Sequence, residues 1–377
     1  MASDARRRTK ILIAIPTLSA GGAERVVTTL ANEWSRGGRD IVIATFEPGE
    51  AQPFYPLGAS VRLLKLDLPP VSKPIGRAIA QTAKRIRALR RTIKAERPDV
   101  VISFLTKMNV MAALAADGLG VPVIISERNN PYIQTFGRLW RGAIAVAFPK
   151  AFAFVTMTQG AADFFPKSQR RRTRIIPNPV SIPALERSPG PGRTLTAVGR
   201  LTAQKRFDRL LEAFARVADD FPGWSLVIWG EGELRADLEA LVQKLGLGAR
   251  VRLPGLTEKP GGWLAAADIL ALSSDYEGWP NVVIEALAGG VPVVAVDCAF
   301  GVKEILEGGA LGLIAPREDT DAFAAALARM MRDENLRRDF SAKGREAARQ
   351  YAPEAIAATW DALIAEAMAA TARKRTP

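Results

Sequence analysis

Short runs of Val, Ile, Leu and Phe recur along the chain with helix-period stretches between them, and this alternation constrains the fold more than any other feature. The first runs lie at 11–15, 40–45, 61–66, 100–104, 121–126 and 153–157. Continuous apolar runs of this length suit strands buried on both faces, as in a parallel sheet with helices on either side. The stretches 22–36, 75–96 and 109–119 predict helices between them. The expected class is therefore α/β, with a doubly wound parallel sheet.

The alternation restarts after a segment dense in Pro and Gly, from Pro177-Asn178-Pro179 to Ser188-Pro189-Gly190-Pro191-Gly192, which reads as a linker. Beyond it, strands are expected at 195–198, 225–229, 251–253, 269–273, 293–295 and 312–314, with helices at 207–218, 234–245, 281–288 and 321–332. A length of 377 residues suits two domains. The expected organisation is a Rossmann-like domain over 1–180, a second over 181–350, and a closing segment over 351–377. A helix at 353–370 carries Ile356, Trp360, Leu363, Ile364 and Met368 at one-face spacing, and no strand follows it. It is expected to cross back and cover the first domain. Ligands of open α/β sheets bind beyond the carboxyl ends of the strands. Two such sheets facing each other would share a ligand cleft.

Composition narrows the chemistry. Cys298 is the only cysteine, and histidine is absent. An internal disulfide, a thiolate metal cage and His-based catalysis are thereby excluded, and a reducing compartment is the simplest setting. Proton transfer must run on other side chains, backbone amides or the substrate itself. The formal net charge of +13 suits an anionic partner. No apolar run approaches the ~20 residues of a membrane-spanning helix. The run 143–157 is broken by Pro149 and Lys150, and the run 11–15 behind Arg6-Arg7-Arg8 is cut short by Pro16, which argues against a signal peptide.

The strongest local pattern is Glu277-Gly278-Trp279-Pro280-Asn281-Val282-Val283-Ile284-Glu285. Pro280 suits the first position of a helix, where its missing N–H costs little. The amides of Asn281, Val282 and Val283 would then face outward as an anion site. Glu285, one turn into that helix, can offer two acceptors to a diol, and Glu277 can reach the other end of the same ligand. An anion flanked by two polyols describes a nucleotide sugar. A capped helix with a surface Glu is the competing reading, and the Gly-x-Pro-Asn spacing after the run 269–273 weighs against it. The second pattern is Val198-Gly199-Arg200-Leu201-Thr202-Ala203-Gln204-Lys205-Arg206. Arg200 offers a fork and Lys205 a point charge to a diphosphate, although a basic loop capping its helix would look the same. The third, Ser19-Ala20-Gly21-Gly22-Ala23-Glu24-Arg25, can present bare amides to phosphate or sugar. It lacks the full dinucleotide-binding glycine pattern.

Together these patterns resemble the retaining glycosyltransferases of family 4, whose GT-B architecture sets two Rossmann-like domains face to face. The resemblance spans nearly the whole chain and is most specific over 195–314. Glu277 and Glu285 match the family's E-x7-E motif, Arg200 and Lys205 its diphosphate clamp, and Gly21-Gly22 its N-terminal glycine loop. The resemblance implies that Glu285 binds ribose and that Glu277, Gly278, Trp279 and Pro280 bind the transferred sugar. It assigns the donor diphosphate to Arg200, Lys205, Gly21, Gly22, Asn281, Val282 and Val283, and the base to Leu256 and Thr257. It further implies no cofactor and no metal, with a leaving phosphate oxygen taking the acceptor's proton during front-face retention. One departure stands out. Arg128, in Ser126-Glu127-Arg128-Asn129-Asn130-Pro131, occupies the place where many members carry His. Arg cannot act as a base near pH 7, but it can stabilise developing phosphate charge, so Arg128 joins Glu277 as a candidate catalytic residue. The S-E-R-N-N-P and E-G-W-P-N forms are similar to the bacterial branch that extends polyprenyl-diphosphate-linked glycans, which includes N-acetylgalactosaminyltransferases.

The segment 73–97 carries Lys73, Arg77, Lys84, Arg85, Arg87, Arg90, Arg91, Lys94 and Arg97 against a single acid, Glu96. Ile75, Ile79, Ile86, Leu89 and Ile93 mark its packed face. A solvated helix face is one reading. The other docks Lys84, Arg85, Arg87 and Arg91, with Asn109, onto an anionic membrane surface or an acceptor's diphosphate. Cations of 167–174 could share that work. No aromatic-interleaved basic motif supports nucleic acid as a partner. The expected activity is transfer of a hexose or N-acetylhexosamine from a UDP-sugar to a lipid-linked or polysaccharide acceptor. The expected place is the cytoplasmic side of a bacterial plasma membrane. A nucleotide-sugar epimerase, a phosphorylase and a non-catalytic sugar-nucleotide-binding subunit are the alternatives.

Overall fold

Each apolar run becomes a parallel strand. The computed structural model describes residues 8–68, 75–128, 134–181, 193–257, 259, 261–298 and 300–373. The chain divides into two units, Met1–Pro179 with Pro353–Pro377, and Val180–Ala352. The linker residues 182–192, the Asn129-Asn130-Pro131 end of the Arg128 motif and Lys73 lie outside the described residues.

The first unit runs β1 (Lys10–Ala14), α1 (Gly22–Arg36), β2 (Asp40–Thr45), β3 (Arg62–Lys65), α2 (Ile75–Glu96), β4 (Val100–Phe104), α3 (Thr106–Ala116), β5 (Val123–Ser126), α4 (Arg138–Ala147), β6 (Ala153–Thr156), α5 (Gln159–Asp163), α6 (Lys167–Arg170) and β7 (Thr173–Ile175). Its seven strands are ordered β3-β2-β1-β4-β5-β6-β7, and every neighbouring pair is parallel. The second unit runs β8 (Thr194–Val198), α7 (Phe207–Val217), β9 (Ser225–Trp229), α8 (Arg235–Lys244), β10 (Val251–Gly255), β11 (Ile269–Leu272), α9 (Asn281–Gly289), β12 (Val293–Val296), α10 (Val302–Ile305), β13 (Gly312–Ala315), α11 (Thr320–Arg332) and α12 (Glu334–Ala348). Its six parallel strands are ordered β10-β9-β8-β11-β12-β13. In both sheets the winding reverses once, between β1 and β4 and between β8 and β11. Such a switch point leaves a crevice beyond the carboxyl ends of the two strands, where ligands of open α/β sheets bind.

The closing helix, α13 (Pro353–Arg373), belongs to the first unit. Ile11 and Ile13 of β1 point into a core shared with α1 and with Ile356, Trp360, Leu363 and Ile364 of α13. Leu12 and Ala14 point to the opposite face, under α2, α3 and α4. This period-two alternation explains why β1 is apolar at every position. The Trp360 ring meets Trp34 edge-on at 6.2 Å and lies tilted against Phe104 at 6.0 Å. Within Glu334–Arg373 one 18-residue window is apolar enough to cross a membrane by length and composition alone. Its apolar stripe in α13 instead packs into this core.

Some elements depart from expectation for identifiable reasons. The third helix begins at Thr106 rather than 109 and is buried nearly all round, so no polar face marks its ends. Its start follows Leu105, held at φ 74°, and Gly118 at φ 72° lies beyond its end. α12 was not anticipated, because only Phe340, Gly344 and Ala348 of its fifteen residues are buried and its apolar stripe is thin. β7 is a three-residue edge strand with no buried position.

Candidate functional site

At the switch point of the second sheet, the loop after β8 and the loop after β11 are laced together. Lys205 Nζ donates to Glu277 Oε1 at 2.6 Å, and Ser274 Oγ donates to the same oxygen at 2.7 Å. Only 15% of the Lys205 side chain and 9% of the Glu277 side chain are exposed. Ser273 Oγ donates to the Lys205 carbonyl at 2.8 Å, and Gln204 Nε2 to the Tyr276 carbonyl at 2.8 Å. Buried Arg209 bonds the Ser273 carbonyl and Asp275 from beneath. Gly199 makes this possible, because a Cβ there would lie 2.9 Å from Lys205 Cε and block the lysine stem. Gly230, at φ 148°, carries the loop after β9 so close that a Cβ would collide with the Gly199 carbonyl. Cys298, just beyond β12, has its thiol pushed up to about 12 by burial and, next, by the Glu277 charge. It is therefore a protonated, inert thiol at neutral pH.

Glu285 lies one turn into α9 and is 3% exposed. Its Oε2 accepts a hydrogen bond from Trp263 Nε1 at 3.2 Å. Trp263 sits in the short 3-10 turn Gly262–Ala266. Nothing in the sequence separates it from an ordinary core tryptophan. The helix start corrects one expectation. Pro280 is the residue before the helix, at φ −74° and ψ 89°, and α9 begins at Asn281. The Val283 amide closes back onto the Pro280 carbonyl at 2.9 Å, so it does not face an anion. A tight first turn takes up this otherwise unpaired donor. Trp279 follows Gly278 and packs its ring edge-on against Tyr351 at 5.8 Å. Its Nε1 is buried with no partner among the described residues. Arg200 is exposed. Leu256 is 73% exposed, and Thr257 Oγ1 donates to the Lys259 carbonyl at 3.0 Å.

The first unit holds Gly21, Gly22, Arg128 and the basic helix. Gly21 precedes α1, but its amide region is not bare. The Glu24 carboxylate lies over it, where a Cβ on Gly21 would collide with Oε2. A glutamate at this position of a helix's first turn is drawn toward the helix start. Burial, and then Glu47, raise the Glu24 carboxyl above its ordinary range. Arg128 is buried. Its Nε donates to Ser126 Oγ at 2.7 Å, and its Nη1 to the Ile176 carbonyl at 3.0 Å and Asn178 Oδ1 at 2.8 Å. The guanidinium lies over the Phe104 and Trp360 rings at 5.6 and 5.7 Å. Burial lowers it to about 9, and Nη2 has no hydrogen-bond partner among the described residues.

Two residues expected to face an acceptor or membrane do not. Asn109 is 0% exposed, with Nδ2 donating to the Ser126 carbonyl and Glu127 Oε1 and Oδ1 accepting from Ser103 Oγ. Arg85 is turned inward, bonding the Leu68 carbonyl at 2.9 and 2.7 Å over the Phe46 ring. Lys84, Arg87 and Arg91 remain exposed on α2. The neighbouring α3 and α4 carry no acidic residue and expose Lys107, Arg138 and Arg141. Leu139 and Val146 of α4 are 66% and 61% exposed beside them. Among the described residues no three His, Cys, Asp or Glu side chains are placed to hold a metal ion.

Residues 21–181 match the family described as Glycosyl transferase 4-like domain, and residues 182–347 match Glycosyl transferases group 1. An undecaprenyl-diphosphate-linked glycan α-1,4-N-acetylgalactosaminyltransferase of Campylobacter jejuni is 30% identical over 362 residues, covering 95% of this chain and 98% of its own. The chain is a group 1 glycosyltransferase. The amylovoran biosynthesis glycosyltransferase AmsD of Erwinia amylovora is 27% identical, covering 94% of this chain and 99% of its own. Such relatives set this glycosyltransferase in cell-envelope glycan synthesis, and the epimerase, phosphorylase and non-catalytic alternatives are not favoured. The fold is shared with sucrose-phosphate synthase of Thermosynechococcus elongatus at a TM-score of 0.80 and 20% identity, covering 96% of this chain and 100% of the other. It is shared also with Anabaena HepE, solved with UDP and glucose, at a TM-score of 0.75 and 18% identity, covering 95% and 100%.

Proposed function

We propose that this glycosyltransferase is a retaining, metal-independent enzyme that takes a hexose or N-acetylhexosamine from a UDP-sugar held by its second unit. The carrying observation is the buried Lys205–Glu277 pair at the switch point, with Glu285 on the adjoining helix. Lys205 and Glu277 satisfy each other across the two loops. A donor diphosphate would draw the Lys205 ammonium to itself, with exposed Arg200 and the start of α9 sharing the charge. Glu277, released, would accept hydroxyls of the sugar, and the unpartnered Trp279 Nε1 would donate to it. Glu285 would accept the ribose hydroxyls, with the base lying along Leu256 and Thr257. With the leaving charge met by cations and amides, the departing phosphate oxygen can take the acceptor's proton. No resident metal or histidine is then needed.

The acceptor, on this reading, is a glycan on a polyprenyl diphosphate, a chemistry named for the Campylobacter jejuni relative. The acid-poor face of α2, α3 and α4 would lie on an anionic membrane from its cytoplasmic side, with cations outside and Leu139 and Val146 entering the interface. Turnover of UDP-, GDP- and ADP-sugars with a prenyl-diphosphate-linked N-acetylhexosamine, in EDTA, tests the reading. It expects transfer from UDP-sugars alone, with an α-linkage from an α-donor by proton NMR. A β-linked product, or turnover abolished by EDTA and restored by a divalent cation, would reject it.

A further inference from the structure

Glu127 and Thr106 form a buried pair that the donor chemistry does not use. Glu127 follows β5 and Thr106 opens α3 after β4, so both lie at the carboxyl ends beside the first sheet's switch point. Thr106 Oγ1 is 2.6 Å from Glu127 Oε2, and Asn109 Nδ2 donates to Glu127 Oε1 at 2.6 Å. Glu127 is 7% exposed and Thr106 6%. Among the described residues no cation pairs with the carboxyl. Arg128, the next residue, turns to Ser126, Ile176 and Asn178, and Lys107 lies over the Trp140 ring. The other described groups around it, Ser103 on β4, Asn109 on α3 and Gln134, are neutral. Leu105, between β4 and Thr106, holds φ 74°, a region that costs a non-glycine residue about 1–3 kcal/mol and clusters at functional sites.

The hydrogen-bond count shows what the pair can do. Thr106 Oγ1 also lies 2.9 Å from Gln134 Oε1, yet it has one proton for two acceptor oxygens. If Glu127 is protonated, it donates to Thr106, and Thr106 donates onward. If Glu127 is ionised, it accepts a hydrogen bond from the Thr106 hydroxyl. Thr106 then offers only lone pairs outward, so Gln134 must turn its amide or yield its place to another donor. Burial pushes the Glu127 carboxyl up to about 7, against the lowering pull of the Thr106 and Asn109 hydrogen bonds, so both states are populated near neutral pH.

We propose that Glu127 is a positioning residue for the acceptor, acting through the Thr106 hydroxyl, which takes a hydrogen bond from an acceptor-sugar hydroxyl in the place held by Gln134. The inference rests on the reading of the protein as a sugar transferase whose first unit receives the acceptor. Loss of the Glu127 proton arms Thr106 as an acceptor, so the KM for the acceptor falls as pH rises through neutrality while donor binding stays level.

The test compares the wild-type chain with E127Q, T106V and T106S. The probes are UDP-N-acetylgalactosamine and a short-chain prenyl-diphosphate-linked N-acetylgalactosamine, from mildly acid to mildly alkaline pH. E127Q and T106V should raise acceptor KM about five- to tenfold, the loss of about one hydrogen bond. They should flatten its pH dependence and leave UDP affinity by calorimetry unchanged. T106S should behave as wild type. Carbon-13 NMR of labelled glutamate carboxyls, with E127Q identifying the resonance, should show a near-neutral midpoint that the acceptor probe lowers in wild type but not in T106V. A pH profile for E127Q that overlays the wild type, or a T106V midpoint that responds to the acceptor as wild type does, overturns the proposal. If UDP binds no variant and no sugar is transferred, the donor reading fails instead, and the NMR titration with the acceptor still decides the role of Glu127.

Discussion

Replacing Trp263 by Phe removes one N–H and keeps most of the ring. That N–H is 3.2 Å from Glu285 Oε2, at the long end of ordinary N–H···O bonds. Hydrogen bonds to charged groups contribute about 1.5–3 kcal/mol net, and the long distance argues for the lower figure. A carboxylate only 3% exposed cannot recover the loss from bulk water. About 1.5 kcal/mol corresponds to about tenfold in affinity. If Glu285 holds ribose, W263F should weaken UDP binding about tenfold by titration calorimetry, with kcat at saturating donor little changed. E285A should weaken it further, and the W263F/E285A double variant should be no worse than E285A, because the two residues act as one unit. Should W263F bind UDP like the wild type while E285A is impaired, Trp263 is only a packing residue. Should E285A itself bind UDP normally, the ribose assignment is wrong.

K205M leaves the Glu277 carboxylate enclosed without its cation. Breaking buried pairs costs about 3–5 kcal/mol, and the partial exposure of Lys205 places this one nearer about 2–3. Urea unfolding should show that loss, and K205M/E277Q should recover most of it without recovering activity. For Glu127, the folded carboxyl stands at about 7 against an ordinary 4.5, so the fold binds its proton more tightly. Stability should therefore fall as pH rises from about 4.5 to about 7, by up to about 3 kcal/mol. E127Q cannot ionise, and should be the more stable protein at about pH 8 and equal to wild type near pH 4; a constant offset between the two would refute the assignment. Charge reversal at Arg87 and Arg91 should cut cosedimentation with phosphatidylglycerol vesicles by more than about tenfold while leaving UDP affinity intact. Unchanged cosedimentation would move the membrane surface elsewhere.

Every strand but β7 was legible, because most are buried parallel strands that write themselves as apolar runs, whereas β7 has no buried position. The bounds of α1 and α2 were legible because each buries one stripe and exposes another. α3 slid by three residues because burial all round erases that contrast. In the candidate site, the local placement of residues close in sequence was readable: Glu277 precedes the turn and Glu285 lies one turn into the helix after it, although that helix starts at Asn281 rather than Pro280. Contacts formed across the fold were not. Trp263 reaches Glu285 over 22 residues, and Thr106 reaches Glu127 over 21, with no local signature in either case. Arg85 and Asn109 were misplaced for a related reason. Periodicity marks a helix face but not the carbonyl of Leu68 or the hydroxyl of Ser103 that awaits one side chain on it.

The most direct measurement is the position of the donor diphosphate in a crystal of the protein grown with UDP-N-acetylgalactosamine. The account predicts both phosphates within hydrogen-bond reach of Lys205 Nζ and the first turn of α9, with the Lys205–Glu277 bond opened and Glu277 facing the sugar. Phosphates bound away from both, with that bond still closed, would contradict it.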